Sequence, residues 1–365
     1  MYDGAMPASG RRVVTRSPEN SETPVDALSN WITPNESFYV RNHFDSPALE
    51  PDGWTLGITG RVEREIQLSQ RDLEQMPQAS LVATLECAGN GRSFLEGNVP
   101  GVQWGAGAVG NAEWGGVQAR LLLESAGIED GALEVVFEGA DSGVEGGSEG
   151  AVRFARSLPL DMALHPDTLI ALRMNGEPLA AEHGFPARLV VPGWYGVASV
   201  KWLRTLRVVD APFRGFFQTV KYTVRRKTAR GISEDVVGMM LPKSEIIRPR
   251  QGDCIAPGMR LIEGIAWAGP EAVAAVELSC DGGDSWRRAE LVGPQHRYSW
   301  TRWQFAWEPP GEGAYSLLAR AISASGEIQP GRHNPLHGGY HVNFSRPLNI
   351  TVAASTAKKP LVFAI

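Results

Sequence analysis

The nine residues from Thr84 to Arg92, TLECAGNGR, place a cysteine at the end of an apolar alternation and the mouth of a glycine-rich loop. A thiolate is either a nucleophile or a soft metal ligand, and a nearby cation favours it over the neutral thiol. Arg92 offers that cation. Gly89, Asn90 and Gly91 give the loop the backbone freedom that close approach of another group requires. The ordinary alternative is a cysteine packed as a small apolar side chain.

Two other stretches carry polar groups of the same kind. FYVRNHF, residues 38–44, runs from aromatics into Arg41, Asn42 and His43, which together suit an anion. EHGFPARLVVPGWYGVASVKWL, residues 182–203, sets His183, Arg188 and Lys201 in apolar, glycine-rich surroundings. Buried cations need a counter-charge. A bound phosphate supplies one, and so does an acid such as Glu182.

The elements that must position these residues are legible in part. SLVATLEC alternates, with Leu81, Ala83, Leu85 and Cys87 on one face, so a strand delivers Cys87 to its loop. SQRDLEQMP opens with a capping box and predicts a short helix stopped at Pro77. VQARLLLESAG predicts a helix closed by Gly127. LEVVFEG, DTLIALRM, ARLVVPG and VKWLRTLRVV predict strands, with a turn at Asn175-Gly176. The mixture lacks a regular βαβ repeat and indicates an α+β domain. Beyond about residue 240, VAAVELSCDGGDSW, WQFAW and AYSLLARAISASGE indicate an all-β immunoglobulin-like sandwich. Within it Cys280 is expected in the core, and Cys254 in a loop with no role. The expected organisation is a polar N-terminal segment over 1–30 without fixed elements, a catalytic domain over 31–240 and the sandwich over 241–365.

Composition narrows the function. The chain has 365 residues and a net charge of −6, without a lysine- or arginine-rich run, so nucleic acid is not the expected partner. No apolar stretch is long enough to span a membrane as a helix. Arg11-Arg12 resembles a twin-arginine pair, but the following VVTRSPEN lacks an apolar core, so a cytoplasmic protein is expected, or a periplasmic one if a signal was removed. The three cysteines form neither CxxC nor CxxCH, which excludes covalent haem and a zinc ribbon, and an odd count argues against a disulfide framework.

TLECAGNGR, HGFPARLVVPG with VKWL, and ITPNESFYVRNHF, joined by FEGADS, MNGEPL and VELSCDGGDSW, resemble the sulfite oxidase family of molybdenum enzymes, which includes the molybdenum domain of plant nitrate reductase. The resemblance runs from about residue 31 to the end. It implies a molybdenum–molybdopterin cofactor, with Cys87 as the metal ligand. Tyr39, Val40, Arg41, Asn42, His43, Asp141, His183, Arg188, Ser199, Val200 and Lys201 match the cofactor cradle. Arg41 and Arg92 match arginines facing the substrate oxyanion, Trp104 an aromatic lining that pocket, and Tyr222 the active-site tyrosine. His337 stands about where some members offer a further arginine, unless Arg332 substitutes. A histidine there is charged only below its pKa, near 6.5 when unperturbed.

The implied activity is two-electron oxidation of sulfite to sulfate, with electrons passed to an external acceptor such as a cytochrome or oxygen, in a homodimer joined through the sandwich. Three alternatives stand beside it. The same cofactor acts on nitrate, a sulfoxide or sulfane sulfur; the chain is an inactive binding protein; or Cys87 is the nucleophile of a hydrolase.

Overall fold

The computed structural model describes residues 10–97 and 99–354. Residues 1–9 of the expected N-terminal segment, and the last eleven of the expected sandwich, lie outside that range. The rest of the N-terminal segment is not featureless. Arg12–Arg16 and Glu19–Glu22 pair antiparallel, and the second of these strands pairs with Val40–Arg41. Polar composition concealed this because the segment is fixed by polar contacts. Asn20 Oδ1 accepts from Arg41 Nη1 at 3.1 Å and Asn42 N at 3.0 Å, and Arg11 pairs with Glu182 at 3.3 Å.

The first half of the chain builds two five-stranded sheets. One orders Glu177–Pro178, Leu169–Met174, Val109–Gln118 and Gln78–Glu86, with Arg188–Val190 also pairing to Leu169–Met174. The other orders Ile66–Ser69, Thr55–Gly60, Leu203–Val209, Glu134–Val144 and Ala151–Pro159. In that sheet only Thr55–Gly60 and Leu203–Val209 run parallel. Helices are few and short. The capping box forms as expected, with Asp72 Oδ2 accepting from Ser69 N at 2.8 Å, and it starts the helix Gln70–Gln75. The longest α-helix among the described residues, Ala119–Ala126, ends at Gly127 with φ 72°. The chain holds 41 glycines and 25 prolines, which work against longer helices.

From Lys243 onward a four-stranded and a five-stranded sheet enclose a core that includes Ile262, Val276, Leu278, Trp303, Trp307 and Leu317. The predicted alternation of WQFAW holds, with Trp303, Phe305 and Trp307 buried. Cys280 is half-buried at the rim of this core rather than within it, and burial pushes its thiol up to about 11. Cys254 is exposed and opens the short strand Cys254–Ile255 instead of lying in a loop. No helix among the described residues is long and apolar enough to cross a membrane.

The two halves share one interior. Ile247, Ile265, Trp267 and Trp300 pack in the same cluster as Leu56, Phe137 and Leu206. Gln78–Glu86 is an edge strand whose end is covered by the second half. Thr84 N donates to Tyr298 O at 2.9 Å, and Trp300 N donates to Thr84 Oγ1 at 2.7 Å. Covering it removes an unpaired edge and fixes where the strand delivers its last residue.

Beneath the site, Gly110 lies flat against the ring of Phe38, and a Cβ there would stand 2.5 Å from Cε2. Phe38 is 1% exposed and meets His183 edge to face, with centroids 5.6 Å apart. Gly110→Ala is therefore expected to cost about 1–3 kcal/mol, the usual penalty for overpacking a core, measured by urea unfolding. An unchanged midpoint would contradict this packing.

Candidate active site

Cys87 follows the last residue of its strand. Its amide donates to Ala108 O at 2.9 Å, its carbonyl accepts from Asn90 N at 2.8 Å, and the side chain reaches a cleft with only 6% of the residue exposed. The group that approaches the glycine loop is Arg92 itself. A Cβ on Gly89 would stand 2.3 Å from Arg92 Nη2, and one on Gly101 or Gly339 2.6 Å from the same guanidinium. Glycine is needed at these positions so that the guanidinium can lie against backbone.

This packing corrects the expectation for Arg92. Its Nε and Nη2 donate to Gly339 O at 3.1 and 2.8 Å, and its Nη1 donates to Val102 O at 2.9 Å. Arg92 is absent from the cleft lining. It lies over the ring of Tyr340 at 5.4 Å, and that ring stacks on Tyr222 with centroids 4.9 Å apart. Arg92 thus acts one ring removed from the cleft.

The cleft that Cys87 reaches has a cavity volume of about 60 Å³. Tyr39, Arg41, Asn42, His43, Asp141, His183, Arg188, Ser199, Lys201 and Tyr222 line it with Cys87, so the three sequence stretches converge. Arg188 donates to the carbonyls of His183 and Ser199 at 3.0 and 3.1 Å and lies over Trp114 at 4.9 Å. Lys201 Nζ donates to Asn42 Oδ1 and to Glu182 O. Burial, reinforced by Arg188, holds the Lys201 ammonium well below its usual range. Three cations sharing one buried cleft make it a receptor for an anion. Asp141 is the exception. Burial pushes its carboxyl up to about 6, and its Oδ1 is a buried acceptor without a partner.

Tyr222, Arg41 and His43 form a second constellation. The Tyr222 hydroxyl stands 2.7 Å from His43 Nε2 and 3.5 Å from Arg41 Nη2. His43 Nδ1 lies 2.8 Å from Glu145 Oε2. Burial, with Arg41 close by, lowers the His43 pKa to about 3, so its ring is neutral. A carboxylate only accepts, so Nδ1 carries the hydrogen and Nε2 accepts from Tyr222. The hydrogen bond from His43 in turn brings Glu145 down to about 2. The hydroxyl proton of Tyr222 therefore points away from Arg41. Tyr222 has φ 55° and Trp202, also lining the cleft, has φ 51°. Left-handed backbone at bulky residues is strained, and strain of this kind gathers at functional sites.

Four expected site residues stand elsewhere. Val40 and Val200 are buried and outside the cleft lining. Trp104 is fully buried in the cluster that includes Cys87, outside the lining, and its indole N–H has no partner. His337 is also outside the lining; it meets His341 edge to face with centroids 5.1 Å apart, and its ring nitrogen stands 3.2 Å from Asn334 Nδ2. The loop 338–342 instead brings Tyr340 and His341 to the site's edge, with His341 stacked on Tyr195 and its amide donating to Ala88 O at 3.0 Å. Glu182, expected as a possible counter-charge, instead gives its backbone carbonyl to Lys201 and its carboxylate to Arg11. Glu145 and Tyr340 escaped the sequence reading because neither sits in one of the three stretches. No histidine hydrogen-bonds Cys87 among the described residues, so the hydrolase alternative lacks its base.

The titrations give a pH dependence. His43 and His183, each lowered to about 3 by burial, stay neutral in the folded protein, whereas both take up a proton below about 6.5 once unfolded. Asp141 works in the opposite sense, holding a proton in the folded state up to about 6. His341, lowered to about 4 by burial, adds to the two histidines, so near pH 5 unfolding takes up about two net protons and stability falls by roughly 2–3 kcal/mol per unit as pH drops. The melting temperature of the cofactor-free protein is expected to be lower at pH 5 than at pH 6.5, by a few degrees; a flat or inverted profile would contradict the buried neutral histidines.

No group of three or more His, Cys, Asp or Glu among the described residues is placed to hold a metal ion. A metal bound at Cys87 must bring its other donors with it. The residues fit a molybdenum–molybdopterin cofactor on that ground and on two others: Arg41, Arg188 and Lys201 suit its phosphate, and the orphaned Asp141 Oδ1 suits a ring N–H. Comparison with known proteins agrees. Residues 43–217 match the oxidoreductase molybdopterin binding domain, and residues 235–337 the Mo-co oxidoreductase dimerisation domain. The chain is 36% identical to a sulfite oxidase of Gallus gallus over 90% of its own length and 74% of that protein's. It is 30% identical to a sulfite oxidase of Arabidopsis thaliana over 87% of its length and 88% of that protein's. Its fold superposes on the sulfane dehydrogenase SoxCD of Paracoccus pantotrophus with a TM-score of 0.80 and 31% identity, over 92% of this chain and 87% of the other. With Cys87 in a cationic cleft and both domains matched, the chain belongs to the sulfite oxidase family of molybdenum–molybdopterin oxidoreductases.

Proposed function

We propose that the protein oxidises sulfite to sulfate and passes the electrons to an external acceptor, such as a cytochrome. The observation that carries this reading is the meeting of Cys87, Arg41 and Tyr222 in one cleft whose other cations are bound to its own wall. When bound, the molybdenum cofactor supplies the two-electron couple and the exchange of an oxygen atom with water. Arg188, Lys201, His183 and Asp141 would hold it, with Cys87 as the metal's protein ligand. Arg41 lies against His43, 3.2 and 2.9 Å from the ring nitrogens, and anchors through Nη1 to Asn20 Oδ1. This fixed guanidinium would orient an oxyanion and balance its charge.

Sulfite gains one oxygen from water and releases two electrons and two protons. Tyr222, His43 and Glu145 form an outlet for a proton. Tyr222 Oη would take up a proton released at the substrate as it passes its own to His43 Nε2, and Nδ1 then releases one to Glu145, whose side chain is 23% exposed and lies 3.6 Å from Lys221 Nζ. The nitrate and sulfane readings share this cleft. The likeness to SoxCD fits the sulfane reading, and 32% identity to an inducible nitrate reductase of Glycine max over 87% of this chain fits the nitrate one. The match of residues 235–337 to a dimerisation domain supports a homodimer joined through the sandwich.

Protein from a host that makes the cofactor is expected to reduce ferricyanide rapidly and saturably with sulfite. Saturable turnover with nitrate or a sulfane adduct, and none with sulfite, would replace the substrate. Arg41→Gln is expected to raise KM about 10- to 150-fold, the loss of one charge-assisted hydrogen bond of roughly 1.5–3 kcal/mol. Glu145→Gln is expected to lower kcat with little change in KM and to enlarge the solvent isotope effect; an unchanged kcat would remove the outlet.

A further inference from the structure

The residues on either side of Cys87 are held by the sandwich half of the chain. On one side is Glu86, 2% exposed. Its Oε1 accepts from Lys243 Nζ at 2.9 Å and Asn90 Nδ2 at 3.0 Å, and its Oε2 accepts from Trp267 Nε1 at 2.8 Å. Lys243 and Trp267 are direct cross-strand partners of one sandwich sheet, so two neighbouring strands present an ammonium and an indole N–H to one carboxylate. Lys243 is also 2% exposed and donates to Asn90 O at 3.1 Å. Asn90 Oδ1 accepts from Ala108 N at 3.0 Å, and Ala108 O accepts from Cys87 N. On the other side, Ala88 O accepts from His341 N at 3.0 Å.

We propose that Lys243 is a positioning residue for the metal centre: its buried ion pair with Glu86, the residue before Cys87, fixes the thiolate's placement and cancels a buried carboxylate charge next to it in the chain. The inference rests on the family reading of Cys87 as the metal ligand, and it holds whatever the substrate is. A buried ion pair is weak evidence for stability, since an apolar pair of similar volume often serves as well, whereas removing one partner leaves an uncompensated charge. Here that charge has a consequence beyond stability. With Lys243 gone, the Glu86 carboxylate adds negative potential at an already anionic centre, which disfavours electron uptake and anion binding. With Glu86 neutralised instead, the ammonium keeps only Glu245, 3.9 Å away and already paired with Arg346, and acts in the opposite sense. A brace that only fastened the two halves together would not give opposite signs for its two members.

The test compares Lys243→Met, Glu86→Gln and the double variant as molybdenum-loaded proteins. The readouts are molybdenum content, the metal's reduction potential under chemical mediators, and the paramagnetic resonance signal of the half-reduced metal generated with dithionite. None of these needs sulfite, so a wrong substrate and a wrong brace give different results. The expected result is a lower potential and an altered signal in Lys243→Met, a raised potential in Glu86→Gln, and a return towards the native value in the double variant. In whatever assay the enzyme responds to, kcat/KM falls at least about tenfold in Lys243→Met and recovers at least threefold in the double variant. If Lys243→Met loads too little metal, Lys243→Arg tests the same claim, keeping the charge and hence a near-native potential. Native potential and signal in Lys243→Met, or shifts of the same sign in both single variants, would overturn the proposal.

Discussion

A thiolate has to be held at one point in a cleft that excludes most water, and the rest of the molecule is arranged around that requirement. Cys87 meets it by being the first residue after a strand. The strand is paired along Val109–Gln118 on one side and covered by Tyr298 and Trp300 on the other. The turn that follows is tied by its own amides and by Asn90, whose side chain reaches both Glu86 and Ala108. The glycines of the loop leave space for the guanidinium of Arg92, which joins the loop to Gly339. Cys87 thus stands on rigid backbone from two distant parts of the sequence.

Charge is the second requirement. Arg41, Arg188 and Lys201 line the cleft, and their hydrogen bonds run mostly to backbone carbonyls and amides rather than to carboxylates. A carbonyl fixes a cation's position without cancelling its charge, so the cleft keeps a positive potential for an anionic ligand. The acids nearby are placed to limit that effect rather than abolish it. Glu145 serves His43, Glu182 serves Arg11 at the rim, and Asp141 is driven towards its protonated form by burial.

Much of this was legible in the sequence. The alternation of SLVATLEC, the capping box at Ser69, the turn at Asn175-Gly176 and the aromatic alternation of WQFAW all express local rules, and all appear where those rules put them. Most of the residues that line the cleft were legible because they cluster in three short stretches, with Asp141 and Tyr222 outside them. What the sequence hid depends on long-range contacts. Arg92 follows Cys87 closely in the chain, yet its guanidinium turns towards Gly339, 247 residues away. His337 shares a loop with Tyr340, but the turn at Gly338 directs Tyr340 to the site instead. Glu145 meets His43 from 102 residues away, and nothing in VEGGSEG distinguishes it from a solvated acid. The N-terminal strands were missed for the same reason, since their partners are polar groups contributed by Val40–Arg41 and Glu182.

The claim on which the rest depends is that Cys87 ligates the metal. X-ray absorption at the molybdenum edge, on the loaded protein and on Cys87→Ser, tests it without reference to substrate. The expected result is one sulfur neighbour fewer per molybdenum in the variant, or loss of the metal. An unchanged molybdenum content with an unchanged number of sulfur neighbours would contradict it.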